Sequence, residues 1–368
     1  MFDRRLVQCF DWGLLFIILI ILGVGLLALY SALYSKASST IHSGLFMKQI
    51  IWMTAGLVVM FFSLFFNYRY LDKLSHVLYV LSLLMLFFVL TNGKYVGGSR
   101  RWLEMGPFTV QPSEFAKITV IIMLAHYYSR FISERGFSLK DLIIPFIYVA
   151  FPCGLIMKQT DLGTAMLIFL NAAFVTWFVK VRRKSILFLL TIIVISGPIT
   201  WFNMENYQKE RILSFLDPGR DPLGSGYHLI QSKIAIGSGR ITGKGFLQGT
   251  QNDLSFLPEQ HTDFIFSVFA EEWGFIGSIS VVILYLVLIL WSLNIANASR
   301  DIFGKIVAVG ICSMIYWQTI INIGMVMGLM PVVGVPLPFM SYGGSSIITN
   351  MLGIGLLLNI SMRRFMYD

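Results

Sequence analysis

Apolar side chains recur along this chain in long unbroken runs, not in the alternation of a half-buried strand or the one-sided stripe of a soluble helix. A helix that crosses a bilayer needs about 20 mostly apolar residues, with a range of about 17–25, because the hydrocarbon core is about 30 Å thick. Segments 12–33, 49–67, 74–91, 115–132, 142–158, 162–180, 185–203, 274–296, 305–328 and 345–361 meet that length. The expected fold class is an all-α polytopic membrane protein of about ten transmembrane helices, forming a single membrane domain over 1–368. The first run, Trp12 to Tyr30, follows Arg4 and Arg5 but exceeds the roughly 7–15 residues of a secretory h-region and lacks a small-x-small cleavage site. It reads as a retained anchor.

Lysine and arginine in the short loops set orientation. Arg69 and Lys73; Arg130, Arg135 and Lys140; Lys180, Arg182, Arg183 and Lys184; Arg300 and Lys305; and Arg363 and Arg364 all fall on one side if the N-terminus is cytoplasmic. Both termini are then inside. The longest polar stretch, about 204–263, becomes one large extracytoplasmic loop, too long for a passive connector. Within it Leu229, Ile230, Ile234 and Ala235 have near-helical spacing, with Gln231 and Lys233 opposite, which suggests a short amphipathic helix at the membrane surface or one packed on its own loop. Lys94, Arg100 and Arg101 break the charge pattern by lying outside. Their position points to a second purpose.

Composition agrees with lipid as the solvent: 56% of the 368 residues are hydrophobic and 13% charged, against about 25% charged in a soluble domain. Mean hydropathy is +0.75. The net charge of +9 does not indicate nucleic acid, which requires a basic face on a water-exposed module; here the cations sit in short clusters between apolar runs. The 31 Phe and 8 Trp face lipid or mark the interface. Cys9, Cys153 and Cys312 lack the paired spacing of a zinc site or disulfide framework. No inverted repeat of the kind that builds transporters is visible.

Charges inside a spanning helix cost roughly 2.5–3.5 kcal/mol each, so they are functional candidates by default. Glu114 and Lys117 stand three apart at a helix start, share one face and can pair; a pair that only neutralises itself is the plainer reading. Lys158 and Asp161 flank the turn Gln159-Thr160, where a tight turn would equally explain the polar residues. His261-Thr262-Asp263 stands where the long loop returns to the membrane, followed by Glu271 and Glu272; burial there would raise the Asp263 pKa and make it a better base. Gly97-Gly98-Ser99-Arg100-Arg101 and Gly237-Ser238-Gly239-Arg240, with Lys244 nearby, put glycine turns beside cations, a phosphate-binding pattern. Pro331, Gly334, Pro336 and Pro338 precede Ser341-Tyr342-Gly343-Gly344-Ser345-Ser346, a rigid and re-entrant turn or a plain connector.

Several stretches in fixed order carry a resemblance. They are Arg101-Trp102-Leu103 with Gln111-Pro112-Ser113-Glu114-Phe115-Ala116-Lys117; Asp161-Leu162-Gly163-Thr164; Asp221-Pro222-Leu223-Gly224-Ser225-Gly226-Tyr227-His228; Gln231 through Gly239; Leu257-Pro258-Glu259-Gln260-His261-Thr262-Asp263-Phe264; and Gly334-Val335-Pro336-Leu337-Pro338 leading into Ser341-Tyr342-Gly343-Gly344-Ser345. Over nearly the whole chain these resemble the SEDS family (shape, elongation, division, sporulation). Short termini and the 257–263 segment look more like its RodA-type than its FtsW-type division members.

The resemblance implies an inverting peptidoglycan glycosyltransferase that extends glycan strands from lipid II, a disaccharide-pentapeptide on undecaprenyl diphosphate, during cell elongation. It implies a multi-pass protein of the bacterial inner (cytoplasmic) membrane with an extracytoplasmic active site. Asp263 matches the essential acidic position, as general base; Glu114, Lys117 and Asp161 match supporting cavity residues. Arg101, Lys233, Arg240, Lys244 and Ser341 are candidates for diphosphate or glycan contacts. A divalent cation, Mg or Mn, is a candidate cofactor without assigned ligands. Implied partners are a class B penicillin-binding protein, the crosslinking transpeptidase, and elongation-complex membrane proteins. Two departures bear on loop geometry: Thr160 replaces the proline common before this aspartate, and Arg100 stands where glutamine or another polar residue is usual. A lipid II flippase is the alternative, predicting lipid movement without new glycosidic bonds. A scaffold that only recruits the crosslinking enzyme is a third, predicting that neutralising Glu114, Lys117 and Asp263 leaves growth intact.

Overall fold

The computed structural model describes residues 9–35, 40–41, 43–96, 99–106, 108–131, 136–220, 224–250 and 260–364. Arg4, Arg5, Gly97, Gly98, Arg135, Asp221-Pro222-Leu223 and Leu257-Pro258-Glu259 lie outside these residues. The helices are α1 (Trp12–Leu33), α2 (Ser43–Ser63), α3 (Arg69–Asn92), α4 (Pro112–Arg130), α5 (Ile143–Lys158) and α6 (Leu162–Phe178), then α7 (Arg183–Asn203), α8 (Asn206–Leu216), α9 (Ser225–Ser238), α10 (Ile265–Ala298), α11 (Ile302–Val326) and α12 (Gly344–Arg363). Among the described residues α1, α2, α3, α10, α11 and α12 are long and apolar enough to cross a membrane, and α5 and α6 are shorter apolar helices.

Helices dominate because a chain in hydrocarbon must satisfy every backbone polar group within its own segment. Aspartate starts three of them: Asp11 Oδ1 accepts from Leu14 N at 3.3 Å, Asp161 Oδ1 from Thr164 N at 3.2 Å and Asp301 Oδ2 from Gly304 N at 2.9 Å. Pro112 opens α4, where its missing N–H is no loss. The helices then sort by depth. In their apolar cores α11 and α12 are 78% and 83% buried, whereas α2, α3 and α10 are 22–28% buried and turn Phe62, Phe87 and Ile283 outward. A bundle that hides its more polar helices and exposes phenylalanine is built for lipid. Close approach replaces the hydrophobic effect as its cement. At Gly355 a Cβ would lie 2.7 Å from the Met60 carbonyl oxygen, so only glycine lets α12 seat on α2.

Two features add to the expected all-α pattern. Strands β1 (Tyr34–Ser35) and β2 (Thr40–Ile41) pair antiparallel, and β3 (Lys94–Val96), β4 (Ser99–Met105) and β5 (Phe108–Val110) form an antiparallel sheet between α3 and α4. These short strands sit in a chain whose described residues are mostly helical, as expected. Within 204–263 the described residues form α8 and α9, where the sequence predicts one short helix near 229–236. Helix α9 is packed: Leu229, Ser232 and Ala235 are buried, Ser232 Oγ donates to the Val326 carbonyl at 2.6 Å, and Ile230 and Ile234 stay exposed.

Helix α10 starts at Ile265, not near 274, and breaks at Gly274 (φ 63°, ψ −158°). The break releases backbone groups that must find partners elsewhere. Segment 240–245 supplies them: Lys244 N and Gly245 N donate to the Glu271 and Glu272 carbonyls at 3.1 and 3.0 Å, and Phe275 N and Ile276 N donate to the Arg240 and Ile241 carbonyls at 2.8 and 3.1 Å. A Cβ at Gly243 would lie 2.0 Å from the Glu272 carbonyl oxygen, which explains its glycine.

Candidate active site

Asp263 lies in the turn just ahead of α10 and is half-buried. Its backbone is pinned: Asn322 Nδ2, from the buried C-terminal end of α11, donates to the Asp263 carbonyl at 2.9 Å and to the Val335 carbonyl at 2.7 Å. One amide thus ties the base candidate to the proline-rich segment 331–338. Gly334 (φ +76°) completes the contact, since a Cβ there would come 3.3 Å from Asp263 Oδ2. Beside it, Tyr342 N donates to the His261 carbonyl at 2.9 Å. Burial raises the Tyr342 phenol above its ordinary pKa, so it stays protonated at neutral pH.

The same segment reaches Asp161. At Gly163 a Cβ would lie 2.8 Å from the Val333 carbonyl oxygen, so the first turn of α6 packs directly on residues 333–335. Asp161 Oδ2 accepts from Thr164 Oγ1 at 2.9 Å and from Gln111 Nε2 at 3.0 Å, while Arg101 Nη1 stands 3.8 Å from Oδ1. Arg101 is fixed further by Nε donating to the Gln159 carbonyl at 3.3 Å and by Nη2 donating to the Thr160 carbonyl. Its side chain keeps 28% exposure, enough to meet a ligand. Gln111 N donates to Ser345 Oγ at 3.0 Å, joining the start of α4 to the start of α12. One turn deeper, Lys117 Nζ bonds Glu114 Oε1 at 2.9 Å and lies 2.8 Å from Oε2, a pair with side chains 1% and 5% exposed. Asp263, Asp161, Arg101 and the Glu114–Lys117 pair therefore gather around segment 331–338 and the helix starts that surround it.

Thr160 holds this arrangement at a backbone cost. Its φ of +59° is unusual for a β-branched residue. Proline, fixed near φ −65° and lacking the N–H that Thr160 donates to the Met157 carbonyl at 3.0 Å, cannot adopt this turn. Thr160→Pro is expected to destabilise by more than ~1 kcal/mol while Thr160→Gly stays within about that amount. Thermal unfolding of the two variants checks the difference, and an unchanged Thr160→Pro would show that the turn is not built this way.

The remaining candidates have protein partners or stand apart. The Lys233 side chain lies across Gly328, where a Cβ would meet its Cε at 2.0 Å. Lys244 Nζ donates to Glu271 Oε1 at 2.6 Å, and that oxygen also accepts from Thr250 N at 2.9 Å. Arg240 is exposed with φ +49°, its carbonyl committed to Phe275. Buried Ser341 closes the preceding turn by accepting from Leu337 N at 2.8 Å. Gly239, in the second glycine-cation stretch, serves close packing on α10, with a Cβ position 2.1 Å from the Ala270 carbonyl oxygen. Gln111 and Asn322 emerge as site-building residues; Gln111 opens one of the quoted motif stretches, whereas neutral Asn322 gave no signal, and Glu271 and Glu272 anchor segment 244–250.

On the outer flank of α3 an open groove of about 480 Å³ is lined by Leu84, Met85, Phe87, Phe88, Thr91 and Leu103. Arg100 Nη1 donates to the Thr91 carbonyl at 3.3 Å, placing a cation at the rim of this apolar trough. No cluster of three or more His, Cys, Asp or Glu side chains among the described residues could hold a metal ion.

Comparison with known proteins follows the same outline. A family model described as "Cell cycle protein" (FTSW_RODA_SPOVE) matches residues 12–365. The chain is 41% identical over 341 residues to the peptidoglycan glycosyltransferase MrdB of Escherichia coli (strain K12), covering 92% of each protein. It is 34% identical to the peptidoglycan glycosyltransferase RodA of Treponema pallidum (strain Nichols), over 98% of this chain and 99% of that one. Among solved structures, a chain of a peptidoglycan synthase complex, described in terms of structural coordination of polymerization and crosslinking, superposes with TM-score 0.81 at 31% identity, covering 97% of this chain and 98% of that one. The rod shape determining protein RodA of Thermus thermophilus gives TM-score 0.72 at 28% identity over 97% and 98%. With motifs in order from the first helix to the last and a match spanning nearly the full length, this chain belongs to the FtsW/RodA/SpoVE family.

Proposed function

We propose that the protein is a peptidoglycan glycosyltransferase that extends glycan strands from lipid II, with Asp263 as its general base. The observation that carries this reading is the half-buried Asp263 carboxylate, set against a residue that must be glycine and pinned through Asn322. A hydroxyl approaching across Gly334 meets an oxygen already in place. The acceptor 4-hydroxyl attacks the anomeric carbon of the lipid-linked sugar, forming a C–O bond as the bond to the diphosphate oxygen breaks. Its proton passes to Asp263, the diphosphate leaves with the electron pair, and the anomeric centre inverts.

Charge builds on the departing diphosphate and must be met by preorganised groups. Arg101, held by two carbonyls and the Asp161 carboxylate yet open on one side, is placed to do this. The buried Glu114–Lys117 pair supports the wall behind it. A divalent ion would be held largely by the substrate's own diphosphate, since no cluster of three or more His, Cys, Asp or Glu among the described residues could hold one, and it would supply charge neutralisation for the leaving group. The apolar groove rimmed by Arg100 suits a polyprenyl tail entering from the bilayer.

The membrane arrangement is part of the same reading. Helices α1 to α7 and α10 to α12 make ten spans, with both termini cytoplasmic and residues 204–263, including α8 and α9, outside the inner membrane. The likeness to a chain from a peptidoglycan synthase complex supports a class B penicillin-binding protein as partner. Rod elongation is preferred to division on the 41% identity to the MrdB relative. Purified protein with lipid II and that partner should yield glycan strands, with and without chelator arms reporting on a metal. Lipid transfer between leaflets with no new polymer would instead establish the flippase.

A further inference from the structure

Four polar side chains on α11 and α12 have no solvent exposure, and each has an atom without a protein hydrogen-bond partner: Ser313 Oγ, Gln318 Nε2 and Oε1, Asn322 Oδ1 and Asn350 Oδ1. Buried polar atoms of native proteins are almost always paired, with protein or with ordered water. Gln318 is unpaired at both ends of its amide.

These residues share a level with the Glu114–Lys117 pair. A Cβ on Gly310 would lie 2.4 Å from Ile121, which marks the crossing of α4 and α11. The two helices run antiparallel there, since the start of α4 reaches the end of α11 through Gln111, Asp161, Gly163 and Val335. Two turns from the crossing, about 10 Å along each axis, bring α4 to Glu114 and α11 to Trp317 and Gln318. Helix α12 fits the same level: Gly353 meets Ile311 and Met314, and Asn350 lies one turn nearer its start. Gln318 and Asn322 are four residues apart, on one face of α11. The order from the bundle interior toward the base is thus the Glu114–Lys117 pair, then Gln318 with Asn350, then Asn322, then the Asp263 backbone.

We propose that Gln318, with Asn350, holds a short file of buried water that links the Glu114–Lys117 ion pair to Asn322, and that Gln318 is thereby a positioning residue for Asp263. Unmatched donors and acceptors on successive turns of α11 offer what a buried water needs, about three hydrogen bonds. The water hydrates an ion pair otherwise enclosed by apolar side chains, and it braces the one amide that grips the Asp263 carbonyl. The inference rests on the polymerase reading only for its functional half.

A high-resolution map of the wild-type protein tests the structural half: ordered waters should appear within hydrogen-bond distance of both ends of the Gln318 amide. A dry pocket, or Gln318 paired directly with protein groups, overturns the proposal whatever the protein's activity. Gln318→Met tests the function. A side chain of similar length keeps the packing, and the waters keep their other partners, so the melting temperature should change by no more than about a few degrees. Polymerisation kcat should fall about tenfold or more at unchanged KM for lipid II, because the base loses its brace. Wild-type kcat, or a melting temperature that falls in step with activity, would assign Gln318 a packing role alone. If the wild-type chain makes no glycan but the waters are present, the polymerase reading fails and the water file stands.

Discussion

Asp263→Asn should make folded protein that no longer polymerises lipid II. The substitution keeps the side chain's shape, so it still fits against Gly334, and the Asp263 carbonyl that Asn322 grips is untouched. What is lost is the ability to accept a proton from the attacking hydroxyl. General-base assistance typically contributes about 10²–10⁴-fold, and the rate of glycan formation should fall by that order while the melting temperature and partner binding hold. Reconstitution with lipid II and the transpeptidase partner, read as glycan length and amount, measures it. Product within a factor of a few of wild type would remove Asp263 from the chemistry and return weight to a transporter.

The parts of this molecule that the sequence announces are those governed by local rules. A run such as Trp12–Leu33 must be helical in lipid, and its boundaries coincide with the apolar pattern because Asp11 caps one end. Glu114 and Lys117 could be paired in advance because a helix fixes the geometry of residues three apart. Legibility stops where partners are distant along the chain. Lys244 looked like an anion-binding cation beside a glycine turn, but it reaches Glu271, whose carboxylate is buried on another element. The break in α10 was invisible because Gly274 sits in an apolar run, and only segment 240–245, docked by Gly239 and Gly243, makes the break affordable. The sheet at residues 94–110 read as loop because its strands are short, of three to seven residues, and carry Lys94, Arg100, Arg101 and Glu104. Asn322 is the sharpest case: a neutral side chain in an apolar helix, it becomes the clamp on the Asp263 turn only when 263 and 335 are brought together.

The Glu114–Lys117 pair allows the second large effect to be separated from catalysis. With side chains 5% and 1% exposed, neither charge can fall back on solvent if its partner is removed. Lys117→Met should therefore destabilise by about 3–5 kcal/mol, the usual result of leaving a buried charge uncompensated. The double variant Glu114→Gln with Lys117→Met removes both charges and should recover most of that loss, because a buried ion pair is often matched by a neutral replacement of similar volume. Thermal or denaturant unfolding of the wild type, both single variants and the double variant closes the cycle and isolates the coupling. The two properties should then part company. If the pair serves the wall behind Arg101, the double variant will be stable and still slow, whereas a pair that exists only to neutralise itself would leave the double variant both stable and fully active.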